Sequence, residues 1–382
     1  MKSFIAASGV IKIDRYYEKN LKTLAREALE SIEKSYAEDL VPDTLIISSM
    51  TPELVDYQSS IADLIADHLG LRKIRVYRVE AGEASGLAAV QLAYSLTTSK
   101  ASKRVLVIGV DKGSEMPVSR MAGVYGSIKD SEYMQLQGIT PLAEAAILAK
   151  LYMKKYNYSY EDLFIWPYTM HQNSLETSHA QLRFRISPDS YKDSPVLAEP
   201  LRLLDSYPLG DGAAALYIVS EDAIERSSDA IVSIEGFGGS VDSKDIASRE
   251  DPLLFRSVRE SWEEALSMAG IERRKIKYIE IHDNYTPNAF IILESMGLAE
   301  RGEAPERLEN SSIEGVHVNL SGGLKARGNP WGATGIYQIH EVFQALLGSF
   351  KSSILGEIEY GAVHNMNGTG DSSYVIILKR VR

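Results

Sequence analysis

A single glutamate precedes a run of residues that predicts a buried helix. Glu83 is followed by a stretch in which almost every residue from Ala84 to Ala93 is small or apolar and none is charged. A helix that is apolar on every side is a buried helix. Its first turn offers unpaired N–H groups and the positive end of the helix dipole. Such a helix start can bind an anion or an oxyanion, and it can activate a nucleophile.

Three roles are open to the Glu83 carboxylate. It can do no more than stabilise the helix, since an acid at a helix N-terminus gains about 0.3–1 kcal/mol from the dipole. It can act as a general base or proton carrier, with a pKa set by burial against the dipole. It can also act as a carboxylate nucleophile that forms a mixed anhydride.

Four further residues with acid, base or amide chemistry lie where predicted strands end or predicted helices begin. His282 ends a predicted strand, where the sites of α/β proteins usually lie, and Tyr285 follows with a phenol that can serve as acid or base. Asn329 and Pro330 form either a simple helix start or an amide donor for an oxyanion. His364 precedes a glycine-rich turn, where it is either a site residue or a buried structural histidine.

A second glycine-rich turn has the composition of a ligand contact. Ser321, Gly322 and Gly323 let the backbone approach a ligand closely. Lys325 and Arg327 beside the turn have the charge to bind a phosphate, and a solvated charged turn is the alternative. The chain contains no P-loop, no dinucleotide-binding glycine motif and no metal-ligand spacing.

The elements that position these residues alternate between strand and helix, and the same order occurs twice. Residues 1–220 and residues 221–382 each predict the order β-α-β-α-β-α-β-β, with a predicted first strand over 3–13. Such alternation predicts mostly parallel or mixed sheets covered by helices. The third helix of each half is rich in small residues, so we expect these two helices to lie side by side. Residues 114–200 interrupt the first half as an inserted loop region that can carry ligand contacts or a partner surface.

Composition limits the class of protein. The 382 residues suffice for two domains, and the 45% hydrophobic and 24% charged contents are typical of a soluble globular protein. The absence of cysteine excludes disulfides, thiolate metal sites and a cysteine nucleophile. The net charge of -11 argues against a nucleic-acid partner. No apolar run approaches the length of a membrane span, and we interpret the N-terminus as a strand rather than a signal peptide.

Several stretches, taken in order, resemble the motifs of the thiolase family. The nucleophile motif is resembled by VEAGEASGLAAVQLAY, and the end of the thiolase insert by PLRLLDSYPLGDGAAALYIVS. The His-Asp-x-Phe motif is resembled by EIHDNYTPNAF, the Gly-His-Pro region by VNLSGGLKARGNPWGATG, and the final catalytic loop by VHNMNGTGDSSYVIIL. The resemblance covers nearly the whole chain. It is greatest to the archaeal and sterol-carrier-protein-x-type acetyl-CoA acetyltransferases.

The resemblance implies an α/β protein with a duplicated five-layer αβαβα thiolase fold and an inserted loop domain. It also implies a cytoplasmic homodimer or tetramer that handles acyl-CoA thioesters, with coenzyme A as substrate or ligand and with neither a covalently bound cofactor nor a metal. A small zinc-ribbon/OB-fold protein is an expected partner, whereas nucleic acid and membrane are not. In this branch the histidine at position 282 helps to form an oxyanion site.

The chain departs from the family at the positions that carry the chemistry. Glu83 replaces the nucleophilic cysteine, Asn329 replaces the histidine that activates it, and Asn367 replaces a glycine of the last loop. Ordinary thiolysis is therefore not expected. Tyr285 replaces a phenylalanine, and steroid-degrading relatives that lack the cysteine are retro-aldolases that rely on tyrosine.

Two functions are consistent with these residues. The first is an enzyme that performs retro-aldol, decarboxylation or non-covalent condensation chemistry on acyl-CoA. Its predicted site residues are Glu83, His282, Tyr285, Asn329 and His364, with Ser321, Gly322, Gly323 and Lys325 binding coenzyme A. The alternative is a catalytically inactive thiolase-like subunit that binds coenzyme A or scaffolds a partner enzyme.

Overall fold

A computed structural model describes residues 2–34, 36, 40–224 and 232–381. The strands are β1 (Ser3–Val10), β2 (Thr44–Ser48), β3 (Arg75–Val79), β4 (Arg104–Asp111), β5 (Val196–Ala198), β6 (Leu201–Arg202), β7 (Gly212–Ser220), β8 (Val232–Val241), β9 (Ile276–Glu280), β10 (Ser312–Ile313), β11 (Val316–Val318), β12 (Tyr360–Asn367) and β13 (Ser372–Arg380). The helices are α1 (Leu21–Glu33), α2 (Pro52–Val55), α3 (Ile61–His68), α4 (Ser85–Thr98), α5 (Val118–Gly126), α6 (Pro141–Tyr156), α7 (Ile165–Ser174), α8 (Pro188–Lys192), α9 (Arg256–Ala269), α10 (Thr286–Ser295), α11 (Ala304–Arg307), α12 (Gly323–Ala326), α13 (Thr334–Leu346) and α14 (Ser352–Leu355).

The strands of the two halves share one hydrogen-bonded sheet. Its order is β10-β11-β9-β12-β13-β8-β1-β7-β4-β2-β3, so the first half lies at one end and the second half at the other. A short antiparallel seam between β1 and β8 joins the halves, where Phe4 faces Ser233 and Ile5 faces Val232. The sheet is mixed, with β2 parallel to β3 and β4 and with β7 antiparallel to β4.

Three hydrophobic layers lie on and between the two halves of the sheet. Leu24 of α1 belongs to the layer outside the first half, and Phe290 of α10 to the layer outside the second half. Leu87 of α4 and Ile336 of α13 lie in the middle layer with strands from both halves. Helices therefore cover both outer faces and fill the space between, which is the predicted five-layer α/β arrangement.

The predicted contact between the third helices of the two halves is confirmed. A side chain added at Gly86 of α4 would lie 2.9 Å from the backbone of Gly335 in α13, so the two helices touch at their first turns. The expectation that α4 is buried on every side is wrong for one face. Ala88, Gln91 and Leu92 are only half-buried, so this face of α4 is partly open in the described structure.

Some predicted boundaries shift where the chain leaves the sheet. β1 ends at Val10 rather than near residue 13, since Ile13 donates its N–H to the carbonyl of His179 in the insert. In the other direction, β12 continues to Asn367, because it pairs with β13 along its whole length. His364 therefore lies within a strand, opposite Val375, and not in the loop that follows.

The insert between β4 and β7 packs on the second half of the chain. Tyr152 of α6 stacks against Phe290 of α10 with ring centroids 6.1 Å apart. A residue side chain at Gly322, just before α12, would lie 2.6 Å from Ser174 of α7. The insert thus covers the edge at which β9 and β11 end. Within the described part of the chain, no helix is long and apolar enough to cross a membrane.

Candidate functional site

The structure brings Glu83 together with residues from the second half and from the insert. The Glu83 side chain is fully buried. Asn329 Nδ2 donates a 2.8 Å hydrogen bond to its Oε1, and Tyr125 Oη donates a 2.6 Å hydrogen bond to its Oε2. His282 Nε2 lies 3.6 Å from Oε1. Both carboxylate oxygens are therefore occupied, and an imidazole stands beside them.

The contact between α4 and α13 explains why Glu83 meets Asn329. Glu83 precedes α4 by one intervening residue, and Asn329 precedes α13 by a short segment that includes the 3-10 turn Trp331–Ala333. The two helices touch at glycines in their first turns. Thr334 Oγ1 donates a 2.5 Å hydrogen bond to Asn329 Oδ1, which leaves the amide nitrogen of Asn329 facing Glu83. The turn before Glu83 requires Gly82, since its φ is +60° and a Cβ there would overlap the Asn367 side chain.

Glu83 is an ionised carboxylate in this setting. Burial raises the pKa of the Glu83 carboxyl, but the facing Nε2 edge of the His282 ring and the hydrogen bonds from Tyr125 and Asn329 reverse this and hold the pKa below its ordinary value. Burial and the Glu83 charge raise the pKa of Tyr125 well above its ordinary value. Tyr125 therefore stays protonated and serves as a donor.

The backbone N–H of Glu83 is already occupied. It donates a 3.2 Å hydrogen bond to Oδ1 of Asn367, the residue that ends β12. The sequence predicted an oxyanion site at the start of α4. The backbone N–H of Glu83 can bind an oxyanion there only if the Asn367 side chain moves away. The Asn367 side chain therefore fills the space next to Gly82. It also accepts the hydrogen bond from the backbone N–H of Glu83.

Two histidines of the second half form the other side of the site. His282 follows β9 and His364 lies in β12, and both are fully buried. Asn365 Nδ2 lies 2.8 Å from His282 Nδ1, and the backbone N–H of His282 donates to His364 Nδ1 at 3.3 Å. Among the described residues neither Nε2 atom has a hydrogen-bond partner. Burial lowers the pKa of His364 well below its ordinary value, so this ring is neutral.

A group of aromatic side chains closes the site. The Tyr125 ring stacks on Trp331 with centroids 6.5 Å apart, and Tyr207 lies between Tyr125 and Tyr285 at about 6 Å from each. Tyr285 is buried; burial, Tyr207 and Glu83 together raise its pKa well above the ordinary value. Tyr285 thus lies near the site, although no hydrogen bond from it to Glu83 is present in the described structure.

Sequence reasoning missed the contributions of the insert and of two amides. Tyr125 lies in the insert, whose sequence has no repeat or motif that singles it out. Asn365 and Gln338 hold His282 through a chain of hydrogen bonds. Only its position next to His364 could have identified Asn365 as a site residue from the sequence.

The residues predicted to bind coenzyme A lie inside the protein. Ser321 Oγ donates a 2.8 Å hydrogen bond to Glu280, and Gly322 and Gly323 are buried. Lys325 is also buried, and burial lowers its pKa to about 8. The alternative of a solvated charged turn is wrong, because these charges are buried among protein atoms. Contact with coenzyme A stays a prediction for these four residues.

A cleft opens next to the site and leads to it. Its volume is about 720 Å³, and its lining includes Met50, Gly82 and Asn367 together with Arg78 and Lys244. Gly82 and Asn367 both touch Glu83, so the carboxylate lies directly behind this wall. No cluster of three or more potential metal-ligating residues occurs in residues 2–34, 36, 40–224 and 232–381.

Comparison with known proteins places the chain in a family. The sequence model for the thiolase C-terminal domain-like family matches residues 238–380. An acetyl-CoA acetyltransferase of Methanocaldococcus jannaschii is 33% identical over 390 residues, which cover 99% of each chain. The chain belongs to the thiolase family. Bovine sterol carrier protein 2 is 23% identical to this chain over 98% of the chain and 72% of that protein's length.

Solved structures show the same fold. The Ltp2-ChsH2(DUF35) aldolase matches this chain with a TM-score of 0.83 at 18% identity, over 100% of this chain and 98% of that one. Human mitochondrial 3-ketoacyl-CoA thiolase in complex with CoA matches with a TM-score of 0.75 at 16% identity, over 100% and 98% of the two chains. The predicted thiolase fold and the resemblance to the archaeal and sterol-carrier-protein branch are confirmed.

Proposed function

We propose that this protein binds acyl-CoA thioesters and cleaves a 3-hydroxyacyl-CoA by a retro-aldol step without a covalent intermediate. One observation carries the proposal: an ionised, buried Glu83 carboxylate touches the Tyr125 hydroxyl and lies 3.6 Å from His282 Nε2. A base and a hydrogen-bond donor at one point are what this reaction needs.

The step balances with the groups present. Glu83, directly or through the Tyr125 hydroxyl, accepts the proton of the substrate's 3-hydroxyl group. The O–H electron pair forms the carbonyl group of the leaving aldehyde or ketone, the C2–C3 bond breaks, and its electrons form the thioester enolate. His282 and His364 donate from Nε2 to the enolate oxygen. The proton then returns to C2, and a shortened acyl-CoA remains.

Two alternatives fit the site less well, namely decarboxylation and a condensation through an acylated side chain, whereas the non-covalent condensation stays a prediction. Decarboxylation of a malonyl-type thioester would place a substrate carboxylate against the Glu83 carboxylate, and like charges repel strongly in a buried site. Condensation through an acylated side chain needs a free nucleophile. The chain has no cysteine, and both Glu83 oxygens already accept hydrogen bonds.

The proposed ligand, oligomeric state, partner and cellular location are inferred from the family and belong to the same proposal. One structural neighbour carries CoA in its name, and another is an aldolase in a complex with a DUF35 protein. We therefore propose coenzyme A as ligand, a homodimer or tetramer, a small zinc-ribbon/OB-fold partner and a cytoplasmic location. Purification from the native host that yields no small partner would count against the partner.

The experiment compares two buried glutamates that each accept from a tyrosine. Purified protein is given a series of 3-hydroxyacyl-CoA thioesters, and carbonyl release and shortened acyl-CoA are measured. Glu83→Gln should lower the rate by roughly 100-fold or more, the usual size of a general-base effect. Glu294→Gln is the matched control, since Glu294 accepts from Tyr152 at 2.5 Å outside the site. An unchanged rate in Glu83→Gln contradicts the proposal.

A second candidate function is a non-catalytic subunit that binds coenzyme A. It is favoured by Asn367, which occupies the Glu83 N–H, and by Tyr125, which covers the carboxylate. Calorimetric titration with CoA and acetyl-CoA separates the candidates when combined with the cleavage assay. Micromolar binding without turnover of any thioester supports the subunit, whereas turnover that depends on Glu83 supports the enzyme.

A further inference from the structure

Two amide side chains behind His282 form a directional chain of hydrogen bonds. Gln338, in α13, donates from Nε2 to the backbone carbonyl of His364 at 3.1 Å. A carbonyl oxygen only accepts, so the Gln338 amide has one orientation. Its Oε1 therefore faces Asn365, whose Nδ2 lies 3.0 Å away. All of these side chains are fully buried.

The same chain reaches the imidazole of His282. Because Gln338 Oε1 accepts, the Asn365 atom beside it must be the amide nitrogen, which carries two hydrogens. The second hydrogen points to His282 Nδ1 at 2.8 Å. Nδ1 must then accept with its lone pair, and in the neutral ring the proton is on Nε2. This Nε2 atom is the one that lies 3.6 Å from Glu83.

We propose that Gln338 and Asn365 are positioning residues that hold His282 as the neutral Nε2–H tautomer. The tautomer follows from the hydrogen bonds alone. Its use, a fixed donor to an oxyanion beside Glu83, rests on the proposed function. The Asn365 amide nitrogen faces Nδ1 as a donor, so the ring nitrogen beside it carries no proton. The other titratable ring against His282 is His364, which is neutral.

The alternative orientation of the Asn365 amide, with its oxygen and nitrogen exchanged, is unfavourable. It would place Asn365 Oδ1 against Gln338 Oε1 and leave two buried acceptors in contact. Gln338 cannot rotate in turn, because its oxygen would then face the His364 carbonyl. The orientation of the whole chain is thus fixed at a backbone group of β12.

Nitrogen NMR of histidine-labelled protein tests the inference without any substrate. The chain has seven histidines, and the signals of His282 are identified by their loss in His282→Asn. In the wild type at pH 7 we expect an unprotonated Nδ1 and a protonated Nε2. A protonated Nδ1, either in the other tautomer or in an imidazolium, overturns the proposal whatever the variants do.

Variants then test the role of Asn365. Asn365→Asp replaces the donor by an acceptor, so we expect the proton to appear on Nδ1. Asn173→Asp makes the same change at a half-buried amide outside the site and should leave the His282 signals unchanged. An unaltered tautomer in folded Asn365→Asp contradicts the positioning role. Should the protein cleave no thioester, the proposed function fails, but the NMR result still decides the tautomer.

Discussion

Two buried polar regions lie on either side of the turn between β12 and β13, and they differ in how completely they are paired. The first is the candidate site around Glu83. The second is an ion cluster made of Lys129, Glu144, Arg249 and Asp371. Lys129 Nζ lies 2.5 Å from Glu144 and 2.6 Å from Asp371, and Arg249 lies 3.3 Å from Asp371.

The difference separates a structural role from a chemical one. Each charged group of the ion cluster has an opposite charge within 3.3 Å, although Oε1 of Glu144 has no hydrogen-bond partner among the described residues. Arg249 also donates to the carbonyl of Thr369 in the turn. In the candidate site the Nε2 atoms of His282 and His364 have no partner in the described chain. Buried polar atoms without partners are costly unless a ligand uses them. We infer that the ion cluster anchors the turn and the insert, whereas the site is built for a ligand.

The largest expected effect comes from removing the shared cation of the ion cluster. Lys129→Met leaves two buried carboxylates with one cation, and breaking a buried pair costs about 3–5 kcal/mol. We expect a loss of that size in the free energy of unfolding, measured with denaturant. Lys154→Met, at an exposed position of α6, should change stability by less than about 0.5 kcal/mol. Equal losses in both variants would remove the distinction between the two regions.

Glu83→Gln should cost less stability than Lys129→Met, although it removes far more activity. The substituted amide keeps the shape of the side chain but loses hydrogen bonds to a charged group, worth about 1.5–3 kcal/mol. Thermal and denaturant unfolding of both variants in one buffer give the comparison. A loss in Glu83→Gln that exceeds the loss in Lys129→Met would identify Glu83 as a structural anchor.

The two regions should also respond to pH with opposite signs. The pKa of Glu83 is lowered in the folded state, so its stabilising contribution is present above its unfolded pKa and is lost as the pH falls. Burial raises the pKa of Asp371 despite the attraction of Lys129, so its contribution decreases as the pH rises through that range. The test is the stability difference between wild type and Glu83→Gln, and between wild type and Asp371→Asn, from pH 7 to 3. Parallel curves would contradict the assignment of these charges.

The smallest effect is expected at the residue that separates the site from the cleft. Asn367→Gly removes one hydrogen bond, worth about 0.5–1.5 kcal/mol, and releases the N–H of Glu83. We expect slightly lower stability and tighter binding of acetyl-CoA in a calorimetric titration. Ser372→Gly, at a half-buried position of the same cleft, serves as the control. Weaker binding in Asn367→Gly than in the control would mean that Asn367 contacts the ligand instead of blocking it.

The sequence was most informative where pattern and position coincide. Glu83 and Asn329 each precede a helix rich in small residues, and that shared pattern predicted that the two helices lie side by side. His282 was placed by the rule that α/β sites lie at strand ends.

Other features depend on tertiary contacts that leave no local pattern. Tyr125 reaches Glu83 only because the insert folds back over the sheet. Lys129 and Arg327 are of residue types that usually lie at the surface. Their burial is explained only by their ion pairs with Asp371 and Glu341. His364 was assigned to a loop because the glycine-rich turn after it obscured the end of β12.

The distance along the chain between Glu83 and Asn329, 246 positions, has a consequence for biosynthesis. Chains fold progressively from the N-terminus as they leave the ribosome. β1 to β4 and β7 are then complete while β8, which will bond to β1, is still being translated, so the nascent sheet has an open edge. Tyr125 emerges early enough to cover Glu83 at that stage, but its other partners do not. A polypeptide stalled before residue 329 would hold a covered carboxylate without its amide, which makes the candidate site one of the last features of the molecule to mature.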